Sequence, residues 1–239
     1  MARLIAVFIR HGDYYQLENT PSAWQPFPLN PAGEGHALLA AQRIDEIITE
    51  KHWGLQPNCD SSQLLRAWQT ASILCRQLEQ KRAIDIKINS FTALAERSVG
   101  SAANLTIAQI EDIIEADPRF ESLIKNWKSD SYFCLPLQGA ESLMDSGKRV
   151  AKHIKKEMTE LAIKQSSEPN QQTRVKLFVG HGAAFRHAAY QLGVLQFEQI
   201  AQLSMYHGEP VFIELLNDGS WHHIAGRWKV RGKKTAYRD

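Results

Sequence analysis

Residues 4–12 read Leu4-Ile5-Ala6-Val7-Phe8-Ile9-Arg10-His11-Gly12, and this segment sets the architecture of the chain. Its apolar run predicts a strand buried on both faces of a sheet, and Gly12 lets the chain turn out of that sheet. A histidine at the carboxyl end of a buried strand, beside an arginine, is suited to take a phosphoryl group. The tripeptide alone occurs in many proteins by chance. The motifs that follow it therefore decide the interpretation.

Three further motifs lie downstream at spacings that suit one pocket. They are Ser62-Gln63-Leu64-Leu65-Arg66-Ala67-Trp68-Gln69-Thr70-Ala71, Leu94-Ala95-Glu96 and Phe178-Val179-Gly180-His181-Gly182. Together with Arg10-His11-Gly12, and in this order, they resemble the histidine phosphatase superfamily, also called the phosphoglycerate mutase-like family. The resemblance spans roughly residues 3–218, and the stretches at 29–33 and 139–142 also fit it.

Phosphoryl transfer needs a nucleophile and positive charge around the phosphate. Neutral imidazole can attack phosphorus and leave again, so we predict that His11 carries the phosphoryl group. Arg10 and Arg66 are predicted to bind the phosphate, because the planar guanidinium meets two phosphate oxygens at once. His181 is the fourth predicted member of the pocket, where it would act in catalysis and donate a hydrogen bond to a phosphate oxygen.

A departing alkoxide needs a proton from a general acid. The family resemblance implies Glu96 in that role. Asp13, beside the nucleophile, is a second candidate acid, and Arg97 is a further candidate for the site. Two arginines and two histidines can supply the positive charge around a phosphate, so we expect neither a metal ion nor another cofactor.

The phosphatase branch of the family fits this chain better than the mutases. Mutases of the family typically continue Arg-His-Gly-x-Ser-x-x-Asn and carry their acid in Glu-Arg-x-Tyr-Gly. Tyr14, Leu17 and Val99 stand at those contact positions here. Hydrolysis of a phosphomonoester or phosphoprotein is therefore favoured. The alternatives are a phosphoglycerate mutase-type transferase and a non-catalytic phosphate-binding module, although such a module would usually lack the nucleophile or the acid.

The composition is that of an ordinary globular protein. With 239 residues and a formal net charge of +2, the chain can form one domain with a substantial core. Cys59, Cys75 and Cys134 form no CxxC pair, which argues against a zinc site or an extracellular disulfide framework. No run approaches the ~20 apolar residues that span a bilayer. We expect a cytoplasmic protein that acts on a phosphorylated small molecule or phosphoprotein, without a membrane or nucleic-acid partner, and the oligomeric state stays open.

Alternating strand and helix patterns predict an α/β layer sandwich with ligands beyond the carboxyl ends of the strands. The resemblance implies a three-layer α/β/α sandwich with a mixed, mostly parallel central sheet. It also implies a helical insert at about 97–138 over the active site, within a single domain that covers 1–239. Helices are predicted at 31–50, 62–78, 106–115, 120–127, 142–162 and 184–192, and strands at 4–9, 84–88, 175–179, 210–216 and 221–228.

Several other polar residues are predicted to be structural or solvated. The histidines in this group lack metal-ligand spacing with an acidic or cysteine partner; they are His187, His207, His222 and His223. The basic residues on one face of the 142–162 helix are predicted to face solvent; they are Lys148, Arg149, Lys152, Lys155 and Lys156. A basic tail is expected at about 229–239, with Lys229, Arg231, Lys233, Lys234 and Arg238.

Overall fold

The computed structural model describes residues 3–167 and 172–232. The strands in this part of the chain are β1 (Leu4–Arg10), β2 (Gly54–Ser62), β3 (Lys87–Phe91), β4 (Arg174–Gly180), β5 (Leu203–Met205), β6 (Val211–Leu215), β7 (Trp221–Ala225) and β8 (Trp228–Val230). Six of them form one sheet in the order β3-β2-β4-β1-β6-β7, and β5 pairs with β8 separately. The strands β1 to β4 pair in parallel, whereas β6 and β7 are antiparallel.

Helices cover both faces of this sheet. The α-helices of the described residues are α1 (Pro31–Glu50), α2 (Leu65–Arg82), α3 (Ile107–Ala116), α4 (Leu143–Ser166), α5 (Gly182–Gln191) and α6 (Phe197–Gln202), and α1, α2, α4 and α5 are the ones that cover the sheet. Ile44 of α1 and Leu74 of α2 belong to the core on one face of the sheet. Ile154 of α4 and Ala188 of α5 belong to the core on the other face. The predicted three-layer α/β/α fold with a mixed, mostly parallel sheet is confirmed.

The first strand is buried on both faces, as its apolar run predicts. Ile5 and Val7 pack in the core beneath α1 and α2. Ala6 and Phe8 point to the opposite core beneath α4 and α5. Because side chains alternate across a strand, one run of apolar residues ties both helical layers to the sheet.

The two histidine motifs meet because their strands are neighbours. In the β1–β4 ladder Arg10 lies opposite Gly180, and the backbone N–H of His11 donates to the carbonyl of Gly180 at 2.9 Å. His11 and His181 therefore leave adjacent parallel strands at the same edge of the sheet. This edge is where an α/β sheet places its ligands.

Three predicted elements differ from the observed ones. The helix predicted from residue 62 begins at Leu65, because Ser62 still belongs to β2. The strand predicted at 84–88 lies three residues later, at Lys87–Phe91. No α-helix forms at 120–127, where the chain passes through Asn126 in the left-handed conformation, with φ 61°, into a 3₁₀ turn at Trp127–Ser129. The elements β2, β5, β8 and α6 were not predicted as separate elements.

The insert packs around a small core of its own. Trp127 is buried, and its indole N–H donates to Glu111 Oε1 of α3 at 3.1 Å. The buried members of this core are Ala23, Val99, Ala102, Ile110, Trp127 and Leu135. The loop before α1 contributes Ala23, so the core fixes the insert above the carboxyl edge of the sheet.

Two predictions concern the ends of described segments. The helix predicted at 142–162 extends to Ser166, and residues 168–171 of the loop expected after it lie outside the described residues. Lys229 belongs to β8 rather than to a tail. The tail residues Lys233, Lys234 and Arg238 also lie outside the described residues. Within the described ranges, no helix is both long enough and apolar enough to cross a membrane.

Candidate active site

His11 is buried at the end of β1, with only 2% of its surface exposed. Its Nδ1 lies 2.7 Å from the carbonyl oxygen of Gly12, so Nδ1 must carry the proton and donate it there. Nε2 then carries the lone pair, which accepts a hydrogen bond from Arg66 Nε at 3.3 Å. The backbone fixes both the tautomer and the orientation that a nucleophilic imidazole needs.

The turn that holds His11 depends on two glycines in close contact. A Cβ on Gly12 would lie 2.2 Å from the carbonyl oxygen of Gly33, in the first turn of α1. No side chain fits at that distance. The amide of Gly12 also donates to Thr70 Oγ1 of α2 at 3.0 Å. The two helices on this face of the sheet, α1 and α2, therefore both contact the turn and hold it in place.

Arg66 is completely buried in the first turn of α2 and connects the pocket's histidines. Its Nη1 donates to the carbonyl of Gln25 and its Nη2 to that of Ala23, both at 2.9 Å. Nη2 also lies 3.3 Å from His181 Nδ1. The Tyr14 ring packs against the guanidinium, with Cζ 4.5 Å from the ring centroid. The structure thus brings together Arg66 and both predicted histidines.

His181 caps the start of α5, and its ring centroid lies 5.0 Å from that of His11. Arg66 can only donate, so His181 Nδ1 accepts, and His181 Nε2 then donates to Ser62 Oγ at 2.9 Å. Ser62 is the last residue of β2. The motif that begins at Ser62 was singled out because it contains Arg66. In the structure its serine also accepts a hydrogen bond from His181 and so orients that ring.

Both imidazoles are held in the neutral form. Burial lowers the pKa of His11 well below its usual value, and the charges of Arg66 and Arg10 lower it further. Burial followed by the charge of Arg66 lowers the pKa of His181 in the same direction. A neutral His11 keeps the lone pair that a nucleophile requires at neutral pH.

A cleft of about 240 Å³ opens above His11. Arg10, His11, Glu96 and Arg97 line it, and the insert contributes Lys128, Ser129 and Ser131. Arg66 and His181 do not line the cleft but contact or lie beside His11, which does. Arg10 reaches it past Gly182, where an added Cβ would lie 3.1 Å from Arg10 Cδ, and its Nη1 donates to the carbonyl of Met205 at 3.0 Å.

Glu96 is buried at the cleft wall, with 5% of its surface exposed. Its Oε1 accepts from the backbone N–H of Arg97 at 2.9 Å, and the Trp24 indole donates to its backbone carbonyl at 2.8 Å. Arg149 donates to the carbonyl of Ala95 at 3.2 Å and pairs with Glu141. The prediction that Arg149 faces solvent is therefore wrong, because it holds the segment that leads to Glu96.

Asp13 occupies a different position from Glu96. It does not line the cleft, and its Oδ2 accepts from the side-chain amide of Asn30 at 2.9 Å. Burial raises the pKa of Asp13, but the hydrogen bonds from Asn30 and the Tyr14 amide outweigh it, so the pKa lies below its ordinary value. A lowered pKa suits a structural carboxylate better than a general acid.

Two histidines that were predicted to be purely structural lie at the site. His207 Nδ1 donates to the backbone carbonyl of His11 at 2.6 Å, and its ring stacks on His36 with centroids 5.1 Å apart. Burial, followed by the charge of Arg10, lowers the pKa of His207 to about 3. His187 lines the cleft and lies 3.1 Å from Ser131 Oγ of the insert. Neither sits in a motif, so no sequence signal marked them.

A second cluster of charged side chains lies between α4 and the sheet. Ligand atoms of Asp60, His153 and Glu157 lie within 4.8 Å of one another, a spacing that could hold a metal ion. Lys176 Nζ, however, lies 2.8 Å from Glu157 Oε2 and 3.2 Å from Asp60 Oδ1. An ammonium group of the protein itself thus bridges the two carboxylates.

Comparison with known proteins agrees with this geometry. The sequence profile of the histidine phosphatase superfamily (branch 1) matches residues 6–223, and the chain belongs to this superfamily. It is 29% identical over 218 residues to a 2,3-bisphosphoglycerate-dependent phosphoglycerate mutase of Parvibaculum lavamentivorans, with 90% of this chain and 92% of the relative covered.

Solved structures share the fold at lower identity. A mycobacterial glucosyl-3-phosphoglycerate phosphatase is 20% identical with a TM-score of 0.62, and the match covers 96% of this chain and 98% of that one. A phosphoserine phosphatase of Entamoeba histolytica, solved with 3-phosphoglyceric acid, is 15% identical with a TM-score of 0.60, and the match covers 94% and 96%. Relatives thus include a mutase as well as phosphatases, and the site itself must distinguish the two.

Proposed function

We propose that this protein is a metal-independent phosphatase that hydrolyses a phosphomonoester or phosphoprotein through a phosphohistidine on His11. The observation that carries the proposal is the state of the His11 imidazole. Its Nδ1 proton is fixed on the Gly12 carbonyl at 2.7 Å, and burial keeps the ring neutral. Nε2 therefore carries a lone pair, which accepts from Arg66 Nε at 3.3 Å in the free site, and His11 lines the cleft together with Arg10.

The first step transfers the phosphoryl group to the enzyme. His11 Nε2 attacks phosphorus, the bond between phosphorus and the ester oxygen breaks, and Glu96 gives its proton to the departing oxygen. Arg66 Nε, which donates to Nε2 in the free site, would turn to a phosphate oxygen as the N–P bond forms. Arg10 stabilises the same oxygens from the cleft side.

The second step returns the enzyme to its starting state. Water attacks phosphorus, the Glu96 carboxylate takes a proton from that water, and the N–P bond breaks. His11 leaves as a neutral imidazole with its Nδ1 proton still on Gly12. Inorganic phosphate is the product, and Glu96 is protonated for the next cycle.

The surroundings favour hydrolysis over mutase chemistry. At the three positions where mutases make further contacts, Tyr14 hydrogen-bonds Ser22 Oγ at 2.9 Å, Leu17 is 38% exposed and Val99 is buried in the core of the insert. A mutase must hold its phosphoenzyme until the substrate returns, whereas a phosphatase needs only water. Mutase activity stays the second candidate, because Arg97 lines the cleft.

The His11→Ala variant tests the nucleophile. We expect it to fold normally and to lose more than about a hundredfold in kcat on 4-nitrophenyl phosphate, since a nucleophile contributes several kcal/mol. Wild-type enzyme mixed with ³²P-labelled substrate should yield an acid-labile, alkali-stable phosphoprotein that the variant lacks. EDTA should leave the wild-type rate unchanged. A folded variant with near-normal kcat would place the nucleophile elsewhere, and activity restored only by an added metal would contradict the metal-independent reaction.

A further inference from the structure

Glu96, the proposed general acid, lies in a loop whose two flanks are held by one ion pair. The pair joins Arg149 of α4 to Glu141, which lies just before that helix. Arg149 Nε lies 3.3 Å from Glu141 Oε2, and Arg149 Nη2 donates to Oε1 of the same carboxylate. A two-point contact of this kind fixes the plane of the guanidinium. Both side chains are half-buried, which limits screening of the pair by solvent.

The guanidinium holds the chain that comes before Glu96. Arg149 Nη1 donates to the backbone carbonyls of Thr92, Ala93 and Ala95, at 3.0, 2.9 and 3.2 Å. The first two belong to a 3₁₀ turn, and Ala95 immediately precedes the acid. The end of a short helical turn leaves carbonyl groups that need donors. A single nitrogen on α4 therefore supplies the turn that leads into Glu96.

The carboxylate of Glu141 holds the chain that comes after Glu96. Glu141 Oε1 accepts from the backbone N–H of Ser98 at 3.1 Å, and the backbone N–H of Glu141 donates to the Ser98 carbonyl at 3.0 Å. Between the two flanks, the Trp24 indole binds the carbonyl of Glu96 itself at 2.8 Å. The ion pair thus ties the backbone on both sides of the acid to one helix.

The proposed phosphate-binding groups are held by other parts of the chain. His11 follows β1, and Arg66 lies on α2 with its Nη groups on the carbonyls of Ala23 and Gln25. Burial lowers the pKa of His181, and the charge of Arg149 adds to the effects of Arg66 and Arg10 there. A variant that keeps this charge but loosens the 92–98 segment should displace the acid and leave the nucleophile in place.

We propose that Arg149 and Glu141 are positioning residues for the general acid, and that their ion pair places the Glu96 carboxyl group at the leaving-group oxygen. The inference rests on the proposed phosphatase function. As the bond between phosphorus and the ester oxygen breaks, the Glu96 proton passes to that oxygen, so the two groups must lie within hydrogen-bond reach. A displacement of about 1 Å can cost roughly a hundredfold in rate.

The leaving group separates this role from general support of the fold. Nitrophenolate departs without a proton, whereas an alkoxide needs one. Arg149→Lys keeps the positive charge, but one ammonium nitrogen cannot bind the carboxylate and the carbonyls together as the guanidinium fork does. We expect this variant to lower kcat/KM about tenfold or more on an alkyl phosphate that the wild type hydrolyses, and less than about threefold on 4-nitrophenyl phosphate.

Three further variants make the comparison specific. Glu141→Gln removes the charge of the pair and should show the same selectivity to a smaller degree. In an enzyme that carries Glu96→Gln, Arg149→Lys should cause no further selective loss on the alkyl phosphate, because the acid that it positions is absent. Lys152 is exposed on α4, so Lys152→Met should leave kcat/KM for both esters at the wild-type value.

The pattern of losses decides the proposal. Equal losses on the two esters would mean that the ion pair supports the fold in general, and would overturn the positioning role. A further selective loss in the Glu96→Gln enzyme would overturn it as well, because Arg149 would then act through another group. Circular dichroism checks that each variant is folded, and Glu141→Gln carries the test if Arg149→Lys does not fold.

Amide hydrogen exchange of residues 92–98 gives a readout that needs no turnover. Exchange in this segment should be several-fold faster in Arg149→Lys than in the wild type or in Lys152→Met, because the segment loses an anchor. Unchanged exchange would overturn the proposal whatever the activity of the enzyme. If the wild type hydrolysed no phosphomonoester at all, the phosphatase itself would be rejected, and the role of the ion pair in proton donation with it.

Discussion

Arg66 and Glu96 serve different parts of the proposed reaction, and a change of leaving group separates them. Nitrophenolate leaves without a proton, whereas an alkoxide needs one. Glu96→Gln should therefore cost less than about tenfold in kcat/KM, which reports the first transfer alone, on 4-nitrophenyl phosphate but roughly a hundredfold or more on an alkyl phosphate. Arg66→Ala should cost more than Glu96→Gln on the aryl ester, because the phosphate oxygens are held in every transfer.

Asp13→Asn is the matched control for the acid. Its carboxylate accepts a hydrogen bond from Asn30 and lies outside the cleft lining, so the leaving-group dependence should stay that of the wild type. If Asp13→Asn lost alkyl phosphate activity selectively while Glu96→Gln did not, the acid would have been assigned to the wrong residue.

His187 links acid pH to the stability of the fold. Burial lowers its pKa to about 4, while the unfolded chain titrates near about 6.5. Between these values the unfolded state binds the proton and the folded state does not, so stability falls as the pH drops from about 6.5 towards 4. At pH 5 this residue should account for about 2 kcal/mol of lost stability relative to pH 8.

Urea unfolding of His187→Gln at pH 8 and pH 5 measures this contribution. The variant should lose about 2 kcal/mol less than the wild type between the two pH values. His222→Gln removes an exposed histidine of β7 and controls for the change of side chain. An equal pH dependence in wild type and His187→Gln would mean that the imidazole is protonated in the folded protein.

The sequence predicted which residues of the motifs lie at the site. It did not predict residues outside the motifs that hydrogen-bond to the backbone of a motif. His11, Arg66 and His181 meet as predicted because their motifs end adjacent strands or begin a helix beside them. His207 reaches the site through one hydrogen bond to the His11 carbonyl. Such a contact depends on how distant turns fold together, and no local spacing encodes it.

The same distinction holds for the secondary-structure elements. The run that forms β1 is uniformly apolar, and its prediction is confirmed to within one residue. The strand β2 has the sequence Gly-Leu-Gln-Pro-Asn-Cys-Asp-Ser-Ser, with neither a long apolar run nor strict alternation. Its register shifts between Leu55 and Cys59, around Pro57, which cannot donate to a ladder. Hydrogen bonds to β3 and β4 hold β2 in place. Because β4 is distant in the sequence, the local pattern of β2 does not predict the strand.

The contact between α4 and α5 depends on a glycine inside a helix. A Cβ on Gly147 would lie 2.3 Å from His187 Cβ and 2.7 Å from the backbone carbon of that residue. Gly147→Ala must push the two helices apart, and overpacking of this kind costs about 1–3 kcal/mol. This cost should exceed the gain of about 1 kcal/mol from better helix propensity.

Gly35→Ala in α1 is the matched control, because nothing lies within 4 Å of the added carbon. Its free energy of unfolding should rise by up to about 1 kcal/mol. Urea denaturation of both variants measures the difference. Equal stabilisation of Gly35→Ala and Gly147→Ala would show that α4 and α5 tolerate a wider separation.

At the scale of the whole molecule, the proposed reaction centre and the walls of the cleft come from different parts of the chain. His11, Arg66 and His181, which are proposed to bind and transfer the phosphoryl group, follow the carboxyl ends of β1, β2 and β4. The insert, α6 and the β5–β8 ribbon build the walls of the cleft. Substitutions in these walls are expected to change which substrate fits without moving His11.

The acceptor of the phosphoryl group, water or a second substrate hydroxyl, distinguishes a phosphatase from a mutase. Tyr14 hydrogen-bonds Ser22, Leu17 is exposed and Val99 is buried, so these three positions lack the Ser, Asn and Tyr contacts predicted for mutases, and water should be the acceptor. Incubation with 3-phosphoglycerate should release inorganic phosphate, with no requirement for 2,3-bisphosphoglycerate and with little isomer exchange, as followed by ³¹P NMR. Efficient isomerisation that depends on the bisphosphate, with little phosphate released, would make the protein a mutase. Inertness towards this and every other phosphomonoester would indicate a binding module, because a site with nucleophile, acid and phosphate clamp in place should turn over at least one of them.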